Sequence, residues 1–451
     1  MDRQRKAAGF VLGLLFAINL MNFFDRQLIG VVAEPIRKQW GLTDAQLGWL
    51  GTAFTLLYAM VGVPFGRLAD LRRRSRLLGW GIGVWSLLTA ASGLAWNFLS
   101  LFAARLGVGV GEAACAPASS SLIGDLFPPA RRAFALSIFM MGLPVGIFFG
   151  NYVGGWLASE YGWRQTFFVS CLPGLLLALA VFLIHEPERG AAETLPGAAR
   201  VHQGSPYWRV LRIPTMSWII ISGALFNFNS YAINLFMPAF LSRYHGLNLR
   251  DANVITGFTL GAVGVVGLLV GGWVVDHFSK ARANGRLLTA AVALLINGPC
   301  VYFGLRRPPG DLVAFIALIS VGWTLWYVYY SGVYAAIQDV IEPSLRGTAM
   351  ALYFFAMYLL GGSFGPIATG WLSDYFARRA MQATGAIAMT ESFRAVGLHH
   401  AMYVIPAVAM LVVVVLLAAA LTVEKDMRAL SRWMATPASE ATRDLIGQPG
   451  D

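Results

Sequence analysis

Long apolar runs separated by short polar turns organise this chain from end to end. Twelve runs of about 18–28 residues can be marked, over approximately 9–33, 44–69, 77–95, 97–121, 132–158, 164–184, 214–241, 252–276, 285–304, 311–338, 347–377 and 398–423. A helix of about 20 apolar residues crosses the hydrocarbon of a bilayer, so the pattern predicts an all-α integral membrane protein with twelve transmembrane helices. The third and fourth runs are parted only by the turn at Trp96 and Asn97. At the N-terminus, MDRQRKAAGF leads into an apolar run with no small-residue cleavage site, which reads as an uncleaved first span. No lipidation motif is visible.

One long polar interruption, His185–Ile213, divides the pattern into two blocks of six. The expected organisation is an N-terminal bundle over 1–184, a cytoplasmic linker over 185–213, a C-terminal bundle over 214–424 and a cytoplasmic tail over 425–451. The blocks echo one another. Gly66-Arg-Leu-Ala-Asp70 returns as Gly272-Trp-Val-Val-Asp276, Pro128-Pro-Ala-Arg131 as Pro343-Ser-Leu-Arg346, and Gly155-Trp156-Leu as Gly370-Trp371-Leu. The offsets of 206, 215 and 215 residues imply two pseudo-symmetric six-helix bundles, the plan of an alternating-access transporter.

Composition sharpens the class. The chain is 57% hydrophobic and 13% charged, half the charge content of about 25% usual in soluble domains. Its net charge of +11 points to membrane orientation rather than nucleic acid, because the basic residues cluster in short turns. With the N-terminus in the cytoplasm, 22 basic residues fall on that side and 10 on the other, which places both termini inside. The densest group is Arg67, Arg72, Arg73, Arg74 and Arg76. Cys115, Cys171 and Cys300 lie in apolar stretches and read as packed, reduced thiols. No Cys-His spacing suits a metal, and no nucleophile–base set or Walker A motif is present, so neither an enzyme, a cofactor nor ATP drive is expected. A receptor would be expected to carry an output domain, whereas only 28 residues follow Val423.

Four ionisable residues interrupt the apolar runs of the first half: Asp25 and Arg26 in the first, Arg105 and Glu112 in the fourth. Each costs roughly 2.5–3.5 kcal/mol in the bilayer centre, so each needs a partner or a task. The matching runs of the second half carry none. Arg105 and Glu112 are two helical turns apart and share a face; Asn22 and Asp25 share another, with Arg26 rotated from Asp25 by about 100°. The expectation is a titratable site in which Asp25 and Glu112 couple to protons, with Arg26, Arg105 and Asn22 as counter-charges and substrate contacts. Desolvation and a neighbouring arginine act oppositely on a carboxylate, so a change of state can load or release a proton. The competing reading is fixed ion pairs that hold helices together, with Arg26 alternatively closing a gate.

These motifs resemble the major facilitator superfamily. GRLADLRRRSRLL over 66–78 is similar to its loop motif between helices 2 and 3, with Arg73 where the pattern prefers Gly, and Arg105-Leu-Gly-Val-Gly109-Val-Gly111-Glu112 is similar to its helix 4 motif. Within the superfamily the chain most resembles the spinster group. The carriers are Asn22-Phe-Phe-Asp25-Arg26, Gly109-Val-Gly-Glu112-Ala, Asp125-Leu-Phe127, Gly142-Leu-Pro144-Val-Gly146 and His185-Glu-Pro187-Glu-Arg-Gly190. Eukaryotic members of that group export sphingosine-1-phosphate or lysophospholipids. Organic-anion symporters of the superfamily carry similar helix 1 and helix 4 motifs, so those two alone do not separate the groups.

The resemblance implies a proton-coupled secondary transporter of an amphipathic, lipid-like solute, with a small organic anion or drug as the alternative cargo. It implies a monomer in a multi-pass setting, here a bacterial inner membrane, whose partners are membrane lipid, the solute and protons. Asp70 with Arg74, Arg131 or Arg132, mirrored by Asp276 with Arg346, is expected to latch the cytoplasmic side; the alternative is solvated loop charge. Gly142, Gly146, Gly150 and Gly154, and Gly261, Gly264 and Gly267, form stripes that let helices approach closely and slide, or simply pack. Candidate cavity lining in the second half is Asn227, Tyr231, Trp323, Tyr327, Tyr330 and Tyr358, against the ordinary role of such aromatics in packing. An anionic head is expected to meet Arg105, with a chain along the aromatics.

Overall fold

Helix after antiparallel helix is what twelve apolar runs joined by short turns must produce. The computed structural model describes residues 2–184, 186–187, 206–279, 282–342 and 345–435, and no strand occurs among them. The helices are α1 (Asp2–Trp40), α2 (Asp44–Leu71), α3 (Arg74–Gly93), α4 (Phe98–Glu112 continued by Cys115–Leu126), α5 (Pro129–Met140 continued by Gly142–Tyr161) and α6 (Trp163–Phe182). A short surface helix, Pro206–Leu211, precedes the second set. That set is α7 (Pro214–Tyr244), α8 (Leu249–Ser279), α9 (Gly285–Leu305), α10 (Leu312–Val340), α11 (Arg346–Ala383) and α12 (Glu391–Met402 continued by Val404–Ala435). Ten of these twelve segments are long and apolar enough to cross a membrane; α2 and α3 are the other two.

Local chemistry sets the ends. Thr43 and Gln46 close a capping box on α2, and Asn97 and Ser100 close one on α4, where the turn at Trp96 and Asn97 was expected. Gly162 turns α5 into α6 with φ of 85°, a left-handed conformation that costs glycine least. The helices outrun their apolar cores, by about two turns at the end of α1 and about three at the end of α12. α1 continues through Pro35 to Trp40, for example, with Glu34 and Arg37 paired.

Packing joins α1 to α5, α3 to α6, and α9 to both α10 and α12 within the halves. Across the seam between halves, α1 meets α7, α2 meets α11 and α5 meets α8. The termini-side piece of α5, Pro129–Met140, packs on α1 and α4 of its own half, while the far-side piece reaches α8. The α5 glycine stripe is an α1–α5 joint inside one half: a Cβ at Gly142, Gly146, Gly150 or Gly154 would meet Leu20, Phe24 or Leu28. Of the α8 glycines, Gly261 lies against Phe148 across the seam, Gly264 against both Pro144 across the seam and Tyr327 of α10, and Gly267 against Thr324 and Tyr327 of α10.

α8 and α11 each contain one π-helical turn, Gly257–Ala262 and Met357–Gly362. A π turn frees a carbonyl from its usual partner. Side chains take up the freed groups: the Tyr327 hydroxyl donates to Leu260 O (3.1 Å), Asn227 Nδ2 to Met357 O (2.9 Å) and Ser363 Oγ to Tyr358 O (3.1 Å). Two of the expected cavity residues are engaged in this way. Asn227 and Tyr327 are buried and hold the π turns in place. Trp323, also expected there, is buried and stacked on Trp326 with centroids 5.1 Å apart.

Candidate functional site

The four intramembrane charges meet between α1 and α4, sorted into two separate pairs. Arg105 donates from Nη1 to Asp25 Oδ2 (3.2 Å) and from Nη2 to the Asp25 backbone carbonyl (3.3 Å), while Thr89 Oγ1 of α3 donates to Asp25 Oδ1 (2.8 Å). Every one of these partners belongs to the first half, and both charged side chains are buried. The pair ties α1, α3 and α4 into one body.

Arg26, one residue on, points the other way round α1. Its Nε donates to Glu112 Oε2 at 2.9 Å, and Asn22 Nδ2 donates to the same oxygen at 2.7 Å. From Nη1 it reaches across the seam to the hydroxyls of Tyr231 on α7 and Tyr358 on α11, each at 3.3 Å. The guanidinium also lies 4.6–4.7 Å from the ring centres of Phe23, Phe54 and Tyr58, within cation–π range. Glu112 is fully buried, and its Oε1 has no hydrogen-bond partner.

The expected residues are therefore redistributed. Asn22, Arg26 and Glu112 gather at the seam with Tyr231 and Tyr358, whereas Asp25 and Arg105 gather inside the first half. Arg105, expected to greet an anionic head, is committed to Asp25; the arginine that faces the second half is Arg26. Tyr330 extends the aromatic wall, its ring 5.4 Å from Tyr334, which in turn stands 5.8 Å from Phe354. Sequence reasoning missed Thr89, Phe23, Phe54 and Tyr58. Of these, Phe54 and Tyr58 are four apart on α2, an ordinary helical spacing that gives no hint of a bound cation.

The expected latch is redrawn as well. The Asp70 side chain lies outside the described residues. Arg74 is buried within the first half, paired with Asp125 and Glu186 and donating to Ser121 Oγ (3.0 Å) and Pro187 O (3.0 Å), so it does not reach the second half. Burial alone would push Glu186 up, yet the donors on Arg74 and Ser75 hold its carboxyl below the usual range. Arg131 is exposed and Arg132 donates to Gly124 O (2.7 Å). In the second half Asp276 is exposed and Arg346 donates to Gln338 O (3.2 Å); ion pairs described at that end are Arg286–Asp339 (2.6 Å) and Arg209–Glu342 (3.7 Å). His185 and most of the linker lie outside the described residues.

Residues 15–366 match the Major Facilitator Superfamily. An MFS-type efflux pump of Mycolicibacterium smegmatis is 29% identical over 372 residues, covering 82% of this chain and 85% of the relative. Protein spinster homolog 1 of Xenopus laevis is 30% identical over 386 residues, covering 82% of this chain and 73% of the relative. Among solved structures, a bacterial homolog to the human lysosomal transporter Spinster, in an inward-facing and unoccupied conformation, matches with a TM-score of 0.83 and 28% identity over 93% of this chain and 98% of that one.

Proposed function

Since the chain belongs to the Major Facilitator Superfamily, among the relatives of spinster, it is a membrane transporter, and we propose that it moves an amphipathic, lipid-like solute by proton-coupled alternating access. The observation that carries this reading is the Arg26–Glu112 pair, buried at the seam and shared between halves through Tyr231 and Tyr358. A buried carboxylate stays charged only while a cation and donors compensate it. When Arg26 leaves Glu112, a proton neutralises the stranded carboxylate, and Oε1, the oxygen without a partner, is where it binds. Arg26 is then free to take the anionic head of the solute, with the two tyrosine hydroxyls as further donors. The row Tyr330, Tyr334 and Phe354 offers apolar area to a chain. Return of the solute's anion to water lets Arg26 recapture Glu112 and expel the proton.

In a bacterial inner membrane, the surplus of basic residues on the termini side supports a cytoplasmic location for both termini, with the far end outside. One chain carries both halves of the site, so the monomer is the working unit. A second reading, export of small organic anions or drugs through the same residues, draws on the similarity to the mycobacterial efflux pump.

The test is flux of labelled lysophospholipid and sphingosine-1-phosphate in proteoliposomes, with and without an imposed pH gradient. Gradient-dependent flux above that of empty liposomes is the expected result. Absence of flux for both lipids, together with gradient-driven movement of an organic anion, would move the assignment to the second reading. Lipid flux indifferent to pH would remove the proton from it.

A further inference from the structure

At the far end of the seam sits a second charged cluster that takes no part in the central site. Arg243, near the end of α7, donates from Nε to Glu34 of α1 (2.9 Å) and from Nη1 to Asp44 of α2 (2.8 Å). Arg37 of α1 donates from Nη2 to Glu34 Oε1 (2.6 Å) and to Glu391 at the start of α12 (2.7 Å). The side chains of Glu34, Arg37, Asp44 and Arg243 are all buried, while Glu391 at the edge of the cluster is exposed.

The most specific feature is on α11. The first four N–H groups of a helix have no partner within it. On α2, Thr43 takes that of Gln46 from its own half, whereas the Asp374 carboxylate takes those of Asp44 (3.1 Å) and Ala45 (2.9 Å) from the other half. Ser373 Oγ adds a bond to Asp44 Oδ2 (2.6 Å). The backbones themselves touch: a Cβ at Gly370 would collide with the Asp44 carbonyl, and one at Gly48 with the Pro366 carbonyl. The ion pairs described at the termini end are built differently. Arg74–Asp125 and Arg286–Asp339 each stay within one half.

We propose that Asp374 capping α2 from the opposite half, with Arg243 as the bridging cation, is the latch that holds the far end shut and sets how much of the protein rests in this state. Opening at that end strips α2 of two N–H acceptors and parts buried charges at once, whatever the solute and whether or not a proton is coupled. Charge-assisted bonds of this kind contribute enough that losing one shifts a two-state population by roughly tenfold. Arg243→Ala strands the buried Asp44 carboxylate and leaves Glu34 to Arg37 alone, so the deciding variant is Asp374→Asn, which leaves the Arg243 ion pairs intact.

The measurement is a spin-label distance distribution on the purified full chain in nanodiscs. Cys115, Cys171 and Cys300 are replaced by Ser, and labels are placed at Glu160→Cys and Ile387→Cys, exposed far-end positions on opposite halves. The expected result is a roughly tenfold rise in the ratio of wide to narrow distances for Asp374→Asn, and no change for Arg286→Ala at the other end. A distribution in folded Asp374→Asn that superposes on the parent's overturns the latch. Should that variant not fold, Gly370→Ala, which keeps every charge and wedges the two backbones apart, decides by the same criterion.

Discussion

Asp25–Arg105 and Arg26–Glu112 join the same two helices from adjacent residues on α1 and residues seven apart on α4, yet their remaining partners lie in different halves. The first pair satisfies itself inside one half, with Thr89 completing the carboxylate. The second spends one arginine on a carboxylate, three aromatic faces and two tyrosine hydroxyls of the other half. A rotation of about 100° on one helix separates a pair held inside one half from one that reaches across the seam, which under the proposed function are a strut and a switch. An intramembrane charge is thus not functional merely by being buried; what matters is whether its partners move relative to it.

The strut is where the largest effect on folding is expected. Arg105→Ala leaves the buried Asp25 carboxyl with only the Thr89 hydroxyl for company, and breaking a buried pair in this way costs about 3–5 kcal/mol. Thermal unfolding followed by size-exclusion should show a lower midpoint and poor yield. The double variant Asp25→Asn, Arg105→Gln removes both charges and should recover most of the loss. An Arg105→Ala protein as stable as the parent would erase the distinction between the pairs.

Glu112→Gln tests the other side. Glutamine keeps an oxygen for Asn22 and Arg26 but takes up no proton, so the fold should survive. Flux driven by a pH gradient should fall by about five- to a hundredfold, the range of a typical coupling energy, while exchange without a gradient persists. Undiminished gradient-driven flux would remove Glu112 from the coupling.

How much of this could be read from the chain follows from the physics of each feature. Apolar runs long enough to cross a bilayer announce themselves, and so do the charges that break them. The partners of those charges were beyond reach, because helical spacing gives the angle between Asp25 and Arg26 but not which face turns to α3 and which to the seam. In the second half, the aromatics of α10 crowd one side of the helix, with Tyr330 within about 60° of both Trp323 and Tyr327, so spacing alone could not part it from those packed neighbours. The π turns that employ Asn227 and Tyr327 leave no mark in hydropathy. The far-end clasp was hidden for another reason: Glu34, Arg37, Asp44, Arg243 and Asp374 each sit at the end of a span, where a charge is the normal thing to find.

The finest cut through the comparison is made by single oxygens. Tyr231→Phe and Tyr358→Phe each delete one bond to Arg26 that is long, at 3.3 Å, and so worth the lower part of the usual 0.5–1.5 kcal/mol, about two- to threefold. If those hydroxyls steer Arg26 between Glu112 and solute, each variant should raise the KM for flux by that factor and leave the unfolding midpoint in place. Thr89→Val deletes one shorter bond, 2.8 Å, from the strut, and there the prediction inverts: the midpoint drops and KM stays. The two tyrosines sit on α7 and α11 while Thr89 sits beside Asp25 in its own half, so losses of single bonds should be read out in different quantities. Tyrosine variants that lower the midpoint without touching KM would make Arg26–Glu112 a second strut, and the seam would need another switch.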